Sequence, residues 1–441
     1  MTASAPHPKP LRVLIVGLNY APEPIGIAAY TTGLAEHFAR AGHRVQVVAG
    51  RPYYPQWRVY PGFAALVWKR SVEHGVALTR CPHYVPAVPT GTRRILHHLS
   101  FAAAALPVTI ARVLHERPDV VLCVMPSMVS AATARIGAWL GRAPLWLHVQ
   151  DFEVDAAFAT GLIGGGLLRG GLFERALRWL EGALFKSAAT VSTISPAMVE
   201  RLRAKGVAPE RTFELRNWAS IEGDASGDAY RREWGLAGRT VALYSGSIGR
   251  KQGAGLILEA ARLLKDQKFK DGAEVAFVIC GEGPDLAELK AAARDLPAVQ
   301  FRPLQPAERL GELLALADLH LLPQIVAASD LVLPSKLTNM LASGRPTIAT
   351  AAPGSGLYDE IDGCGIAVPP GDAAALAEAI ASLADDPARR GRLGEAARHR
   401  ARERWSAESI LGQFEQRLVA LAAGLSDRGN LPENRSGQEV A

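Results

Sequence analysis

The sequence predicts an α/β protein made of two doubly wound, Rossmann-like domains in tandem. Three observations predict it. Short, continuous apolar runs of strand length recur in both halves, and helical patterns follow them. The second half opens on its own strand, loop and helix, as the first does. Between them, Ala219 to Ala229 (ASIEGDASGDA) is small and polar, as a linker is. A length of 441 residues is too great for one core and agrees with two. The expected domains are 1–218 and 225–405, with a last helix over about 406–423 able to pack back on the first domain. The polar end, 425–441, reads as a disordered tail.

Leu11 to Gly17 (LRVLIVG) is a strand of the kind buried in a parallel sheet. The loop NYAPEPIGIAAY follows, then an amphipathic helix over Tyr30 to Ala41 and a strand over Arg44 to Ala49. A strict G-x-G-x-x-G is absent, which rejects a nicotinamide-binding reading. Gly26 is either a turn glycine or a point where a ligand approaches the backbone. Arg51 to Trp68 is rich in Tyr, Trp, Pro and Arg. That mixture suits a surface that is both apolar and anion-attracting, or a packed aromatic loop.

Arg93 to Glu116 reads as a helix, kinked or broken at Pro107. Its apolar surface and its Arg93, Arg94, His97 and His98 allow two placements, on an anionic membrane or against the sheet. Leu162 to Lys186 has the same character. Asp119 to Met125 and Pro144 to Val149 are strands, and the second ends in Gln150-Asp151-Phe152-Glu153. Ligands sit at the carboxyl ends of strands in open α/β sheets, so His148, Gln150, Asp151 and Glu153 are candidates by position. Ala189 to Ile194 is a strand, followed by a helix with Ser195 as cap and Pro196 at its first position. A short strand end follows at Glu214 to Asn217.

In the second half, the strand Thr240 to Ser245 runs into Gly246-Ser247-Ile248-Gly249-Arg250-Lys251-Gln252-Gly253 and a helix over Leu256 to Lys265. Glycines with two cations between strand and helix favour an anion site over a basic turn, although the P-loop pattern is not met. Glu274 to Cys280 ends in Gly281-Glu282-Gly283-Pro284, and strands follow at Val299 to Pro303, Asp318 to Leu322 and Gly363 to Pro369. Trp405 to Ala423 is a final helix. Between Pro323 and Thr350, a loop enters a helix at Pro334-Ser335-Lys336 that ends at Ser343-Gly344. A lysine on a helix's first turn opposes the dipole and makes better sense beside a bound anion, or else it is solvated.

Composition bounds the function. Hydrophobic residues at 49% and charged residues at 21% describe a globular chain. No uninterrupted apolar run reaches spanning length, so no transmembrane helix is expected. MTASAPHPKP lacks an apolar signal core and reads as a short disordered leader. The scattered cysteines Cys81, Cys123, Cys280 and Cys364 argue against zinc and disulfides and fit a reducing cytosol. A net charge of +6 suits nucleic acid, anionic lipid or anionic substrates, and the chain has no nucleic-acid module. Two cations and a helix start suit a diphosphate, and with no Asp-x-Asp at a strand end no metal is expected to chelate it.

Tandem doubly wound domains with G-S-x-G-R-K-Q-G, then G-E-G-P, then P-S-K-L-x-N-M-L-A-S-G-R-P resemble glycosyltransferase group 1. These are the GT4-type retaining enzymes of the GT-B fold, whose two domains face across a cleft. The opening N-Y-x-P-E-x-x-G-x-A-x-Y, the R-P-x-Y-P after the second strand and P-S-K-L-T-N resemble the colanic-acid biosynthesis branch, fucosyltransferases of exopolysaccharide assembly. The resemblance spans roughly residues 11–423. It implies a nucleotide-sugar donor, GDP-fucose for that branch, and a lipid-linked acceptor on the N-terminal domain, with no cofactor. It also implies a cytoplasmic protein at the inner face of the membrane.

By the same resemblance, Lys251 and Arg250, with Gly246 and Ser247, hold the donor diphosphate, and Pro334, Ser335 and Lys336 hold it from the helix side. Gly281, Glu282, Gly283 and Leu304 meet the base and ribose, Gly26 closes over the substrates, and Gln150 and Asp151 occupy the polar strand end. Asp151, Gln150 and Lys251 are the implied catalytic set. The family's paired glutamates are not met: the second falls on Asn339, the first on Leu331 beside Asp330, and Gln150 replaces the usual histidine. Asn339 is left to hydrogen-bond a ribose hydroxyl without charge. The alternatives are a nucleotide-sugar 2-epimerase of the same fold and a non-catalytic subunit that binds sugar nucleotides.

Overall fold

The computed structural model describes residues 9–23, 26–155, 171–221, 225–249, 252–272, 274–325 and 334–424. Arg250, Lys251, Asp330, Leu331, most of the leader, the tail and residues 162–170 of the second apolar helix lie outside these residues. The chain forms two compact units: Met1–Arg216 with Ile410–Ala441, and Asn217–Ser409.

The first unit runs β1 (Arg12–Val16), α1 (Ile27–Arg40), β2 (Arg44–Gly50), β3 (Lys69–Glu73), β4 (Val76–Cys81), α2 (Gly91–Glu116) and β5 (Val120–Met125). It continues through α3 (Met128–Gly141), β6 (Leu145–Val149), α4 (Leu172–Lys186), β7 (Thr190–Thr193), α5 (Pro196–Ala204) and β8 (Thr212–Glu214). The sheet order is β3-β4-β2-β1-β5-β6-β7-β8, parallel except where β3 meets β4. The strands read as unbroken apolar runs because helices cover them. Leu14, Val121, Cys123, Leu145 and Leu147 pack with Phe101 and Val113 of α2, Ala134 of α3, Phe185 of α4 and Leu202 of α5. Ser195 caps α5 as expected, its side chain accepting from the Met198 amide, with Pro196 at the first position.

The β3–β4 hairpin is absent from the sequence reading. It turns through His74 and Gly75, at φ 47° and 81°, and both positive angles match the twist of a two-residue hairpin. β3 is a charged edge strand, with Lys69 and Arg70 exposed, so it carries no apolar signature. α2 runs unbroken through Pro107, against the expected kink. Pro107 and Ala103, whose carbonyl loses its helical donor, are both exposed to water. Contrary to expectation, α2 is long and apolar enough by length and composition to cross a membrane. Its Phe101, Ala105 and Val113 pack into the core, as in a helix that covers a sheet.

The second unit runs α6 (Asp228–Glu233), β9 (Arg239–Ser245), α7 (Gly255–Leu263), β10 (Glu274–Cys280), α8 (Leu286–Ala292), β11 (Val299–Arg302), α9 (Leu310–Ala315) and β12 (Leu319–Leu322). It continues through α10 (Lys336–Ala342), β13 (Thr347–Thr350), α11 (Gly356–Ile361), β14 (Gly365–Val368), α12 (Ala373–Ala384) and α13 (Pro387–Arg404). Its sheet is wholly parallel in the order β11-β10-β9-β12-β13-β14. The last helix, α14 (Ala407–Ala422), packs on the first unit. There Phe414 stacks on Trp146 at 5.6 Å and meets the His148 ring edge-on at 5.0 Å, while Glu415 lies 3.1 Å from His37.

Much of the basic excess proves structural. Arg390 donates to the carbonyls of Leu383 and Ala384, Arg400 to those of Asp359 and Glu360, and Arg398 to that of Ser343. Arg262 donates to the Ala292 carbonyl, Arg231 to that of Leu316 and Arg211 to that of Lys186. These guanidinium groups satisfy helix C-terminal carbonyls. The net charge is therefore weaker grounds for an anionic partner than composition suggests.

Candidate active site

In the second unit the chain leaves β9 toward β10 and β11 on one side, and β12 toward β13 and β14 on the other. The carboxyl ends of β9 and β12 therefore flank the topological switch point, where an open parallel sheet receives its ligand. Gly246-Ser247-Ile248 leaves β9, and Gly281-Glu282-Gly283 leaves the neighbouring β10. The two loops stay paired beyond their strands: the Gly246 amide donates to Cys280 O at 2.8 Å, and the Ile248 amide to Glu282 O at 2.8 Å. A Cβ on Gly281 would stand 1.8 Å from Gly246 O, and one on Gly283 would stand 1.9 Å from Ile248 O. These two glycines have a direct packing reason: they let one loop's backbone lie on the other's.

Gly246 has a different reason. Its φ is +129°, and a Cβ there would lie 2.3 Å from Cε and 2.4 Å from Nζ of Lys336. The lysine reaches from the start of α10 across the bare glycine and lays its ammonium over the Tyr244 ring, 4.5 Å from the centroid. Nζ donates to the Tyr244 hydroxyl at 3.1 Å, and that hydroxyl donates to Ser247 O. No carboxylate among the described residues pairs with Lys336. Burial pushes its pKa down from 10.5 to about 8. The site thus holds a half-buried cation with a phenol and a ring beside it and, among the described residues, no counter-charge.

Other expected donor residues are placed as follows. Pro334 precedes the helix, which begins at Lys336 with Ser335 in the capping position and no side-chain cap bond. The proline is therefore not its first residue, a shift of the kind seen at frayed helix starts. At seven residues α10 has a weak dipole, and Lys336 supplies most of the positive charge there. Ser247 and Glu282 are exposed at their loop tips, and Leu304 is half exposed in the loop after β11. Asn339 is half-exposed and already engaged in part: its Oδ1 accepts from the Ser220 amide at 2.7 Å, and its Nδ2 donates to Ser220 Oγ at 3.0 Å. It ties the start of the second unit to α10.

In the first unit the switch point lies between β1 and β5. Gly26, at φ +69° and ψ −149°, begins α1 in a conformation open essentially to glycine alone. The loop before it is tied down by Glu23, which is buried. Its carboxylate accepts from the Tyr53 and Tyr54 backbone amides at 2.8 and 2.9 Å and from Asn19 Nδ2 at 2.9 Å. The Arg51–Trp68 stretch divides accordingly. Arg51 and Tyr53 are buried, whereas Leu66, Val67 and Trp68 are exposed.

At the end of β6, Asp151 is exposed and Gln150 is buried. The Gln150 amide meets His148 Nε2 at 2.9 Å, and His148 Nδ1 lies 2.9 Å from Ser192 Oγ. Burial holds that imidazole neutral, its pKa near 3. Gln150 therefore supports a buried histidine instead of standing bare at the strand end. Glu153 takes the Met128 amide at 3.1 Å and lies 3.2 Å from His98. Burial raises the carboxyl to about 7 and lowers His98 to about 3, disfavouring the charged form of each. No cluster able to hold a metal ion occurs among the described residues.

Sequence reasoning missed Tyr244 and Glu23. A phenol two residues before Gly246 was available as a signal. So was the carboxylate inside N-Y-x-P-E-x-x-G, whose role shows only once β1 and β2 are adjacent.

Comparison with known proteins follows the same division. A glycosyl transferase 4-like domain model matches residues 26–218, and a glycosyl transferases group 1 model matches residues 227–400. A protein of Escherichia coli (strain K12) named as the colanic acid biosynthesis glycosyl transferase WcaI is 39% identical over 351 residues, 77% of this chain and 83% of that protein. The alpha-D-kanosaminyltransferase of Streptomyces kanamyceticus is 30% identical over 51% of this chain and 59% of its own length. Among solved structures, sucrose-phosphate synthase of Thermosynechococcus elongatus matches with a TM-score of 0.67 at 17% identity, over 94% of this chain and 100% of that one. Anabaena HepE, solved with UDP-glucose, matches with a TM-score of 0.62 at 16% identity, over 92% and 99%. Both show the shared two-domain fold.

Proposed function

The chain belongs to the group 1 glycosyltransferases of GT-B fold, and from that premise we propose that it moves a sugar, with retention, from a nucleoside diphosphate sugar to a lipid-linked glycan intermediate of exopolysaccharide assembly. Lys336 carries the proposal, as a half-buried cation at the switch point of the second unit with no carboxylate partner among the described residues. A diphosphate is an anion that such a cation would hold. The name of the Escherichia coli relative supports an exopolysaccharide product, and the UDP-glucose bound to HepE supports a nucleotide-sugar donor. GDP-fucose is the first donor to test.

In this reading, the bond between the anomeric carbon and the diphosphate oxygen breaks as the acceptor hydroxyl bonds to the same face. The hydroxyl's proton passes to the departing phosphate oxygen. The Lys336 ammonium stabilises the charge that develops on the leaving diphosphate, so no metal is required. Tyr244 fixes the ammonium's position through ring and hydroxyl. Asp151 orients the acceptor at the end of β6, Gln150 holds His148 beneath it, and the enzyme works in the cytoplasm on the inner face of the membrane.

A thermal-shift panel with GDP, UDP, ADP and dTDP, without metal and then with Mg²⁺, tests this. One nucleoside diphosphate at a hundred times its Kd is expected to stabilise the protein by about 2.7 kcal/mol without metal. No response to any of the four would defeat the proposal. Conversion of the donor without an acceptor, to its 2-epimer, would make the chain an isomerase.

A further inference from the structure

We propose that the outer face of α3 and α4 is the membrane-docking surface of this protein, and that it seats on an anionic bilayer. The proposal rests on the reading of the acceptor as lipid-linked and says where the chain meets the lipid. Large apolar side chains are exposed very unevenly. The second unit shows only Leu263, Leu304 and Ile325 among its described residues, whereas α3 and α4 alone expose Ile136, Trp139, Leu140, Leu172, Trp179 and Leu180. Trp139 and Trp179 are each 67% exposed and Leu172 is 87% exposed, far more than their size would suggest for a covered helix layer.

The spacing makes stripes of them. Ile136 and Trp139 continue the line of Val129 and Ala132 along α3, while Leu172, Trp179 and Leu180 share one face of α4. Between the stripes runs an apolar groove lined by Val129, Ile136, Trp139, Leu180 and Leu184. These helices are neighbours on one side of the sheet, because Ala134 of α3 and Phe185 of α4 enter the same core.

Charge selects the occupant. Arg135, Arg142 and Arg175 flank the stripes, and no carboxylate among the described residues pairs with them. The acids of α4 are neutralised: Glu174 pairs with Arg178, and buried Glu181 pairs with Lys205 at 2.6 Å. Tryptophan beside free guanidinium groups, over a band of leucine and isoleucine, matches the headgroup–acyl boundary of an anionic membrane. A second copy of the chain on the same face would set these arginines against one another, which disfavours a symmetric dimer.

Full-length protein is tested by co-sedimentation with vesicles of phosphatidylglycerol and phosphatidylethanolamine, against phosphatidylcholine alone, at low and high salt. The wild type is expected to sediment with the anionic vesicles only, and less so at high salt. Trp139→Glu with Trp179→Glu is expected to abolish sedimentation. Arg135→Gln, Arg142→Gln and Arg175→Gln together are expected to weaken it about a hundredfold. Trp139, Trp179, Arg142 and Arg175 are exposed and Arg135 is half-buried, all outside the proposed nucleotide site, so the thermal response of both variants to nucleoside diphosphate is expected to stay that of the wild type. Wild-type sedimentation by both variants overturns the proposal. So does a wild type that answers to nucleotide but ignores anionic vesicles. A dimer by light scattering that the tryptophan variant splits would make the face a contact between copies, also overturning it. Vesicle binding with no nucleotide response would leave the face standing and defeat the glycosyltransfer reading instead.

Discussion

A Lys336→Met chain is expected to bind nucleoside diphosphate roughly tenfold to a hundredfold more weakly than the parent, the worth of one charge-assisted contact, and yet to melt higher. The two effects share one cause. Methionine keeps the unbranched stem that lies over Gly246 and removes the ammonium at its end. Burial lowers the lysine pKa from 10.5 to about 8, so the folded state binds its proton less well than the unfolded chain does. The penalty is fully present below about pH 8 and fades as pH rises toward 10.5. At roughly 1.4 kcal/mol for each pKa unit, neutralising the group stabilises the protein by about 3 kcal/mol at pH 7 and by well under 1 kcal/mol near pH 10.5. Denaturant melts of both proteins at the two pH values, with a nucleotide titration at pH 7, check the pair. Parental nucleotide affinity in the variant would remove Lys336 from the diphosphate site. A site residue that weakens the fold while empty is what selection for binding leaves behind.

Gly281→Ala is expected to destabilise the protein by about 3 kcal/mol, at the upper end for overpacking, and to abolish the thermal response to nucleotide. The added Cβ would fall 1.8 Å from the Gly246 carbonyl oxygen, a backbone atom with no rotamer to yield. The β9 and β10 loops must part, which breaks the Gly246 amide to Cys280 O bond and moves the glycine that Lys336 lies across. The same substitution at Gly391 is expected to change little, because a Cβ there meets nothing within 4 Å. Chemical denaturation with an unchanged m-value would show lost stability without altered compactness. Wild-type stability in Gly281→Ala would mean that the two loops are not packed as described.

The parallel strands were readable because both faces of each sheet are covered, so segments such as Arg12–Val16 and Val120–Met125 carry no polar alternation to hide them. The β3–β4 hairpin was not readable, since its edge strand faces water with lysine, arginine and glutamate. Helix α13 escaped notice because arginine dominates it, and its arginines turn inward to neighbouring carbonyls. In the site, Lys336 was conspicuous as a cation at a helix start. Its burial and its contact with Tyr244 arise only when α10 meets the end of β9. Gln150 and Asn339 were assigned to ligands from their positions in a motif. Their partners, His148 two residues back and Ser220 well over a hundred residues away, become visible only in three dimensions.

The central claim is that a nucleoside diphosphate binds against the Lys336 ammonium. Titration calorimetry at pH 8, in two buffers of different ionisation enthalpy, tests it most directly. With a pKa of about 8 the free site is half protonated at that pH, and a diphosphate beside it holds the proton on. The nucleotide itself is fully ionised there and does not contribute. The account predicts uptake of about half a proton per molecule bound, absent in Lys336→Met. Binding with no proton uptake, or with the same uptake in the variant, would contradict it.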